Sequence, residues 1–185
     1  MNGDDDVTLV RQCTEGDDGA FETLVDRYHA RLFNAVLRVV RNYDDARDVT
    51  QTVFVKTYEN LGRYDPAYKF FSWIYRIAMN ESLNFVALKG RHDRVMNGPV
   101  PPGAASDSDV HREAVVNRDL EQALGRLKPE HRSVIVLKHI LGCSYREMSV
   151  ILELPQKTVK SRLYTARESL RKLLTGETPS HERSG

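Results

Sequence analysis

Apolar side chains recur every three or four residues along nearly the whole chain, and almost nowhere do they alternate. That period belongs to the face of a helix; a half-buried strand needs a period of two. Phe21, Leu24, Val25, Tyr28, Leu32, Val36 and Val39 make one such stripe, which predicts an amphipathic helix over roughly 18–41. Asp17 and Asp18 suit its N-terminus, where carboxylates meet unpaired backbone N–H groups, and Asn42 can end it. Asp44 or Asp45 can start the next helix, which turns Ala46, Val49, Val53 and Leu61 to a core and closes at Gly62. Asp65-Pro66 marks a loop. A third helix is expected from near Ser72 to about Lys89, with Ile74, Ile77, Ala78, Phe85 and Leu88 apolar and Gly90 as its C-cap. The fold class is all-α.

The helical rhythm breaks once. Residues 97–109 hold three prolines and two glycines with almost no apolar bulk. Such a stretch has little tendency to fold and reads as a linker. The chain therefore divides into two small helical domains joined by a flexible linker: an N-terminal helix bundle (1–95), the linker (96–112), a C-terminal domain (113–175) and a polar tail (176–185) expected to be disordered. Charge follows the same division. Residues 1–90 carry a net −3, residues 91–115 a net −1 and residues 116–185 a net +5, within a total of +1. A basic C-terminal third beside an acidic N-terminal half suggests modules with different partners.

With 41% hydrophobic residues the chain can bury a core, and so small a net charge excludes charge-driven disorder. Two cysteines, Cys13 and Cys143, exclude a disulfide scaffold and a Cys-rich zinc module. No apolar run reaches the roughly 18 residues of a membrane helix. The acidic start, Met1-Asn-Gly-Asp-Asp-Asp, does not read as a signal peptide. A soluble, reduced, cytoplasmic protein is expected.

The sharpest local grammar lies at 142–173. Ser144-Tyr-Arg-Glu147 is a capping box, and Cys143 and Met148 hold the staple positions around it. A short helix, about Tyr145–Leu152, meets a turn at Glu153-Leu-Pro155 and then a longer helix with Val159, Leu163, Ala166, Leu170 and Leu173 as its core stripe. Before it, Val116, Leu120, Ala123, Leu124 and Leu127 predict one helix, and Pro129 starts another that runs to about Leu141 and stops at Gly142. Short helix, tight turn, long helix is a helix-turn-helix. The outward positions of the second helix are Lys157, Thr158, Lys160, Ser161, Arg162, Tyr164 and Arg167, and segment 155–172 has six basic residues against one acidic. One basic run alone is most often a solvated face. Joined to a capping box, a turn and a core stripe, it points to DNA, with base edges read from the N-terminal part and phosphates held further along.

Two stretches of the N-terminal half carry chemistry. In Asp45-Ala-Arg-Asp48-Val-Thr-Gln51-Thr52-Val-Phe-Val55, Val49 and Val53 turn inward, leaving Asp48, Gln51, Thr52 and Val55 on another face. That polar, acidic face could dock a basic helix, though by composition alone it is an ordinary solvated one. The second stretch interleaves Arg63, Tyr64, Tyr68, Lys69, Phe70, Phe71, Trp73, Tyr75 and Arg76. Aromatic faces stack on unpaired bases while cations grip the backbone. Core packing is the competing explanation for some of these aromatics, Trp73 among them. Arg76, Asn80 and Asn84 lie four apart and share one face suited to groove and backbone contacts.

Together these motifs resemble an extracytoplasmic-function (ECF) sigma factor, the small two-domain class of bacterial RNA polymerase sigma subunits. Asp45–Phe54 is similar to the family's polymerase-binding region, Lys69–Asn80 to its promoter-melting helix, and Leu127–Arg132 with Gly142–Met148 and Thr158–Arg167 to its −35-reading domain. The chain departs from the family pattern at Thr52, Phe71 and Asn84. The resemblance implies that Asp45, Asp48, Gln51, Thr52 and Val55 dock on the clamp helices of the largest core RNA polymerase subunit. It implies that Arg63, Tyr64, Tyr68, Lys69, Phe70, Arg76, Asn80 and Asn84 capture and melt the −10 element. It places the C-terminal domain on the polymerase flap, with its second helix in the −35 major groove. It threads the linker towards the polymerase active site and the RNA exit path, where Asp107, Asp109 and Glu113 give it an RNA-like charge, and it implies promoter DNA and an anti-sigma factor as partners. A charge of +1 predicts weak DNA binding without polymerase, because little electrostatic attraction is available.

A polymerase-independent helix-turn-helix regulator is the alternative. It would explain 142–173 and leave the aromatic segment and the Asp48/Gln51 face without a role. Catalysis finds no support: the six histidines make no HExxH or paired spacing, and there is no GxxxxGK[ST], GxSxG or CxxC stretch. No metal, cofactor, catalytic residue or small-molecule substrate is expected.

Overall fold

The computed structural model describes residues 3–97 and 118–175, which form eight α-helices and no strand. The linker beyond residue 97, with Asp107, Asp109 and Glu113, lies outside the described residues, as do Val116 and the tail 176–185.

The first four helices are α1 (Gly3–Thr14), α2 (Asp18–Val40), α3 (Tyr43–Glu59) and α4 (Phe70–Asn97). Asp17 caps α2 by accepting from the N–H groups of Gly19 and Ala20 at 3.0 and 3.3 Å. Asn42 does not end α2. It starts α3, its side chain accepting from the Asp45 N–H at 3.0 Å, while Arg41 ends α2 in the left-handed region at φ 71°. The amide oxygen satisfies a first-turn N–H, and one left-handed residue is enough to turn the chain. α3 stops at Glu59, and the expected terminator Gly62 lies inside a 3-10 turn, Leu61–Arg63. α4 begins two residues before Ser72 and runs past Gly90 to Asn97. Gly90 has no positive φ and caps nothing. A mid-helix glycine costs only about 1 kcal/mol, and no proline follows until Pro99.

α1 was not expected from its short apolar stripe. It is fastened by Asp6, which is buried: the Tyr28 hydroxyl donates to its Oδ2 at 2.6 Å and Arg27 pairs with its Oδ1. Two donors from α2 thus compensate the cost of removing a carboxylate from water.

The second group is α5 (Arg118–Arg126), α6 (Pro129–Ile135) continued by a π-helical turn (Val136–Ile140), α7 (Tyr145–Leu152) and α8 (Gln156–Thr175). Gly142, at φ 72°, terminates the sixth helix where expected. One apolar core runs through both groups, from Leu24, Tyr28, Val36 and Ile74 to Leu124, Val134, Met148, Ile151 and Leu163. The two helical groups are docked, with α2 against α6 and α4 against α7. Arg132 of α6 is buried between them, donating to the carbonyls of Val39 (2.6 Å), Leu127 (3.0 Å) and Gly125 (3.2 Å). Burial lowers its proton affinity, but it stays charged near neutral pH.

Candidate nucleic-acid interface

The helix-turn-helix is built as its residues require. Ser144 Oγ accepts from the Glu147 N–H at 3.2 Å and Glu147 Oε2 accepts from the Ser144 N–H at 2.9 Å. Both staple residues, Cys143 and Met148, are buried. Burial pushes the Cys143 thiol up to about 12, so it stays protonated and packs as an apolar group. Glu153 ends α7 in the left-handed region at φ 53°, and the Ser149 hydroxyl ties the turn by donating to the Leu154 carbonyl at 2.5 Å. The inward row of α8, Val159, Leu163 and Ala166, is buried against this scaffold. Lys157, Thr158, Lys160, Ser161, Tyr164 and Arg167 are therefore exposed, with Tyr164 at 69%, and Arg162 is half-buried.

Two supporting residues escaped the sequence reading. The Tyr145 ring lies under Lys160 Nζ at 5.4 Å and Lys138 Nζ at 5.1 Å, and the cations hold to its electron-rich face. His139, in the π turn, accepts at Nε2 from Arg167 Nε at 3.2 Å. Burial and then the Arg167 and Lys138 charges push the His139 imidazole down, which keeps that nitrogen an acceptor at neutral pH. Neither partner is adjacent in sequence, so spacing along one helix gave no signal.

The aromatic segment splits in two. Phe70 is 1% exposed, wedged between Tyr28, Tyr64 and Trp73 at ring distances of 5.4, 5.6 and 5.6 Å. It has no face to offer a base, and its place in the strand-reading set is corrected: at the first position of α4 it points into the bundle. Trp73 and Tyr75 are buried as well. Tyr64 is half-buried, its hydroxyl donating to the Tyr68 carbonyl at 2.6 Å, while Tyr68, Arg63 and Lys69 are exposed. Arg76, Asn80 and Asn84 line one face of α4, and Asn84 is exposed.

That face of α4 meets α7. Lys69 Nζ lies 2.8 Å from Glu147 Oε1, Arg76 Nη1 lies 3.7 Å from Glu153 Oε1, and Asn80 Nδ2 donates to Glu153 Oε2 at 3.4 Å. The Lys69 ammonium, then the Ser144 N–H, hold the Glu147 carboxyl down at about 2, and the same contact pushes Lys69 up. An open cavity of about 430 Å³ is lined by Arg63, Asp65, Tyr68, Trp73 and Arg76 together with Ser149, Val150 and Glu153.

On α3, Asp48, Gln51, Thr52 and Val55 are exposed, with Val55 at 50%. Thr52 Oγ1 donates to the Asp48 carbonyl at 2.9 Å, and Arg47 Nε stands 3.7 Å from the Asp48 carboxylate. Asp45 is half-buried and paired with Lys89.

Comparison with known proteins gives two family matches. Residues 24–92 match the family model for Sigma-70 region 2 and residues 117–170 that for Sigma-70 region 4. The ECF RNA polymerase sigma factor SigW of Bacillus subtilis is 32% identical over 89% of this chain and 94% of its own length. The chain belongs to the ECF sigma factors. The sigma-E factor of Escherichia coli is 32% identical over 89% of this sigma factor and 92% of its own length. The sigma-H factor of Pseudomonas aeruginosa is 29% identical over 94% and 96%. Among solved structures, CnrH in complex with the cytosolic domain of CnrY superposes with a TM-score of 0.70 at 27% identity, covering 94% of this chain and 99% of that one. As a sigma factor the protein binds core RNA polymerase and directs it to promoters, reading duplex at −35 with its helix-turn-helix and the −10 element with its N-terminal helices. Sigma factors are transcription initiation factors rather than known enzymes. No described helix is long and apolar enough to cross a membrane.

Proposed function

We propose that three separate surfaces of this sigma factor carry initiation. Asp48, Gln51, Thr52 and Val55 of α3, with Asp45 at the margin, dock on the clamp helices of the largest polymerase subunit. Arg63, Tyr64, Tyr68, Lys69, Arg76, Asn80 and Asn84 take the melted −10 strand. Extrusion of a base costs a few kcal/mol, offset by an aromatic wall and a cationic grip on the backbone. Lys157, Thr158, Lys160, Ser161, Arg162, Tyr164 and Arg167 read and hold the −35 duplex. The observation that carries this assignment is the α8 face: a solvent-facing row of basic and hydroxyl groups over the buried Val159, Leu163 and Ala166.

The functional units are residues 1–95 and 113–175, with 96–112 as a linker that runs towards the RNA exit path and 176–185 as a tail. The protein acts in the cytoplasm, is not an enzyme and needs no cofactor. Its activity is restrained by an anti-sigma factor; that the similar protein CnrH is bound by a second protein, the cytosolic domain of CnrY, supports that reading. Polymerase supplies the affinity that a +1 chain lacks by holding both modules at once. Footprinting of the reconstituted holoenzyme on a responsive promoter tests the assignment. Lys160→Ala is expected to remove −35 protection and Asn80→Ala −10 opening. Unchanged protection in both would overturn it.

A further inference from the structure

Of the outward residues of α8, Arg167 leans on the π turn: its Nε donates to His139 Nε2 at 3.2 Å. A guanidinium has no lone pair to offer, so the imidazole nitrogen is the acceptor and carries no proton. The contact takes one of five N–H donors, and the side chain stays exposed, with both Nη groups left to meet a phosphate. The backbone sets His139 there. The Leu141 N–H reaches back five residues to the Val136 carbonyl at 3.0 Å. The helix that buries Val134, Ile135, Val136 and Leu137 is thereby widened by one residue before Gly142 ends it, and Lys138 and His139 lie in the widened turn. Such turns shift the side chains that follow them about the axis, and they recur at functional sites. We propose that His139 is a positioning residue for −35 reading: the lone pair of its neutral imidazole holds Arg167 Nε and so aims the two Nη groups at the DNA backbone. The inference rests on the assignment of Arg167 to the −35 duplex.

The surroundings of the imidazole favour its neutral form. Arg167 of α8 and Lys138 of its own turn are the charges that bear on it, and both are positive. Lys138 is fixed by the Cys143 carbonyl, to which it donates at 3.0 Å, and by the Tyr145 ring of α7 at 5.1 Å. Glu168, the carboxylate next along α8, is paired with Arg171 at 3.2 Å. Partial burial first, then the two cations, push the imidazole below its ordinary 6.5. Above its own value Nε2 keeps a lone pair and Arg167 is held. As pH falls below 6.5 and through that value, Nε2 gains a proton, turns from acceptor to donor and faces a cation 3.2 Å away, and the contact is lost. A phosphate met by the Nη groups lies across the guanidinium from the ring, so bound DNA does not replace what the imidazole supplies. An unheld arginine gives up its rotamer freedom when it binds DNA, whereas a held one has already done so.

His139 is exposed, so replacing it should leave the fold intact, and melting temperatures check this. His139→Ala removes the acceptor. His139→Gln supplies an amide oxygen that accepts at every pH and never titrates. Arg167→Ala removes the residue acted on. Each full-length variant is reconstituted with core polymerase, and its affinity for a fluorescein-labelled responsive promoter duplex is measured between about pH 7.5 and 5.5. At the upper end, His139→Ala should weaken binding about two- to fivefold and His139→Gln should match the wild type. In an Arg167→Ala background His139→Ala should add nothing. As pH falls, the wild type should drop towards His139→Ala while His139→Gln keeps its lead. Comparing the variants at each pH cancels the titration of polymerase itself. Equal harm from His139→Ala with and without Arg167 would overturn the inference. So would a wild type that gains on His139→Gln as pH falls, which would make the protonated imidazole a phosphate contact in its own right. If Arg167→Ala leaves binding unchanged, the −35 assignment of Arg167 is wrong and positioning falls with it. If Arg167→Ala weakens binding and His139→Ala does not, the assignment stands and positioning is discarded.

Discussion

Lys160 and Arg167 reach outward from α8 on supports that lie elsewhere in the chain, the Tyr145 ring and the His139 imidazole. A cation held in place loses less freedom on binding, so on the proposed reading these contacts favour DNA binding. Lys160→Ala or Arg162→Ala should weaken −35-dependent initiation by about 1–3 kcal/mol, and −35 mutations should then do less additional harm than in the wild type. Run-off transcription on matched promoters checks this; full additivity would discard the contact. The aromatic segment gives a contrasting pair. Phe70→Ala should cost about 3–5 kcal/mol of stability, because it empties a site between three rings. Tyr68→Ala, at an exposed ring, should leave the melting temperature unchanged and slow promoter opening. Circular-dichroism melts beside a promoter-opening assay separate the two roles. The sequence placed both rings in one basic, aromatic run, and only the direction each takes from the helix tells them apart.

At the scale of elements, α7 is held by one residue with two tasks. Glu147 closes the capping box and pairs with Lys69 of the other helical group. Its folded-state carboxyl titrates at about 2, below the ordinary 4.5. A depressed value of this kind stabilises the fold at all pH above the ordinary carboxylate range, and the gain disappears as pH falls from there towards 2. Glu147→Gln keeps the cap chemistry and loses the charge. The wild type should therefore melt higher than this variant at about pH 7, with the gap closing between about pH 4.5 and 2; a gap independent of pH would remove the ion pair from the account. Most of this level was legible in advance. The capping box, the turn at 153–155 and the core stripe of α8 are local patterns, and they define α7 and α8 at the residues expected. The ends of α2, α3 and α4 were read less well, because Arg41 takes a left-handed cap that only glycine advertises and Gly90 is carried through a helix whose neighbours favour it. α1 was missed because what secures it, the Asp6 contacts with Arg27 and Tyr28, lies 21 and 22 residues away.

For the molecule as a whole, the sequence described two modules on a tether and said nothing of how they meet. No period or motif encodes the Arg132–Val39 contact or the placing of Glu153 on Arg76. The face proposed for polymerase, on α3, lies apart from that junction. Asp48→Arg should reduce capture of core polymerase at least fivefold, by reversing a charge at the docking surface, with the fold retained. Competition with the wild type for limiting core measures this, and equal competition would remove α3 from the docking surface. The central claim is that one chain couples −35 reading to −10 melting only when mounted on polymerase. Sequencing transcript 5′ ends from core polymerase, with and without this protein, on genomic DNA tests it most directly. The account predicts new start sites that share two upstream sequence boxes at a fixed spacing and vanish when core is left out. The same set of starts from core polymerase alone would contradict it.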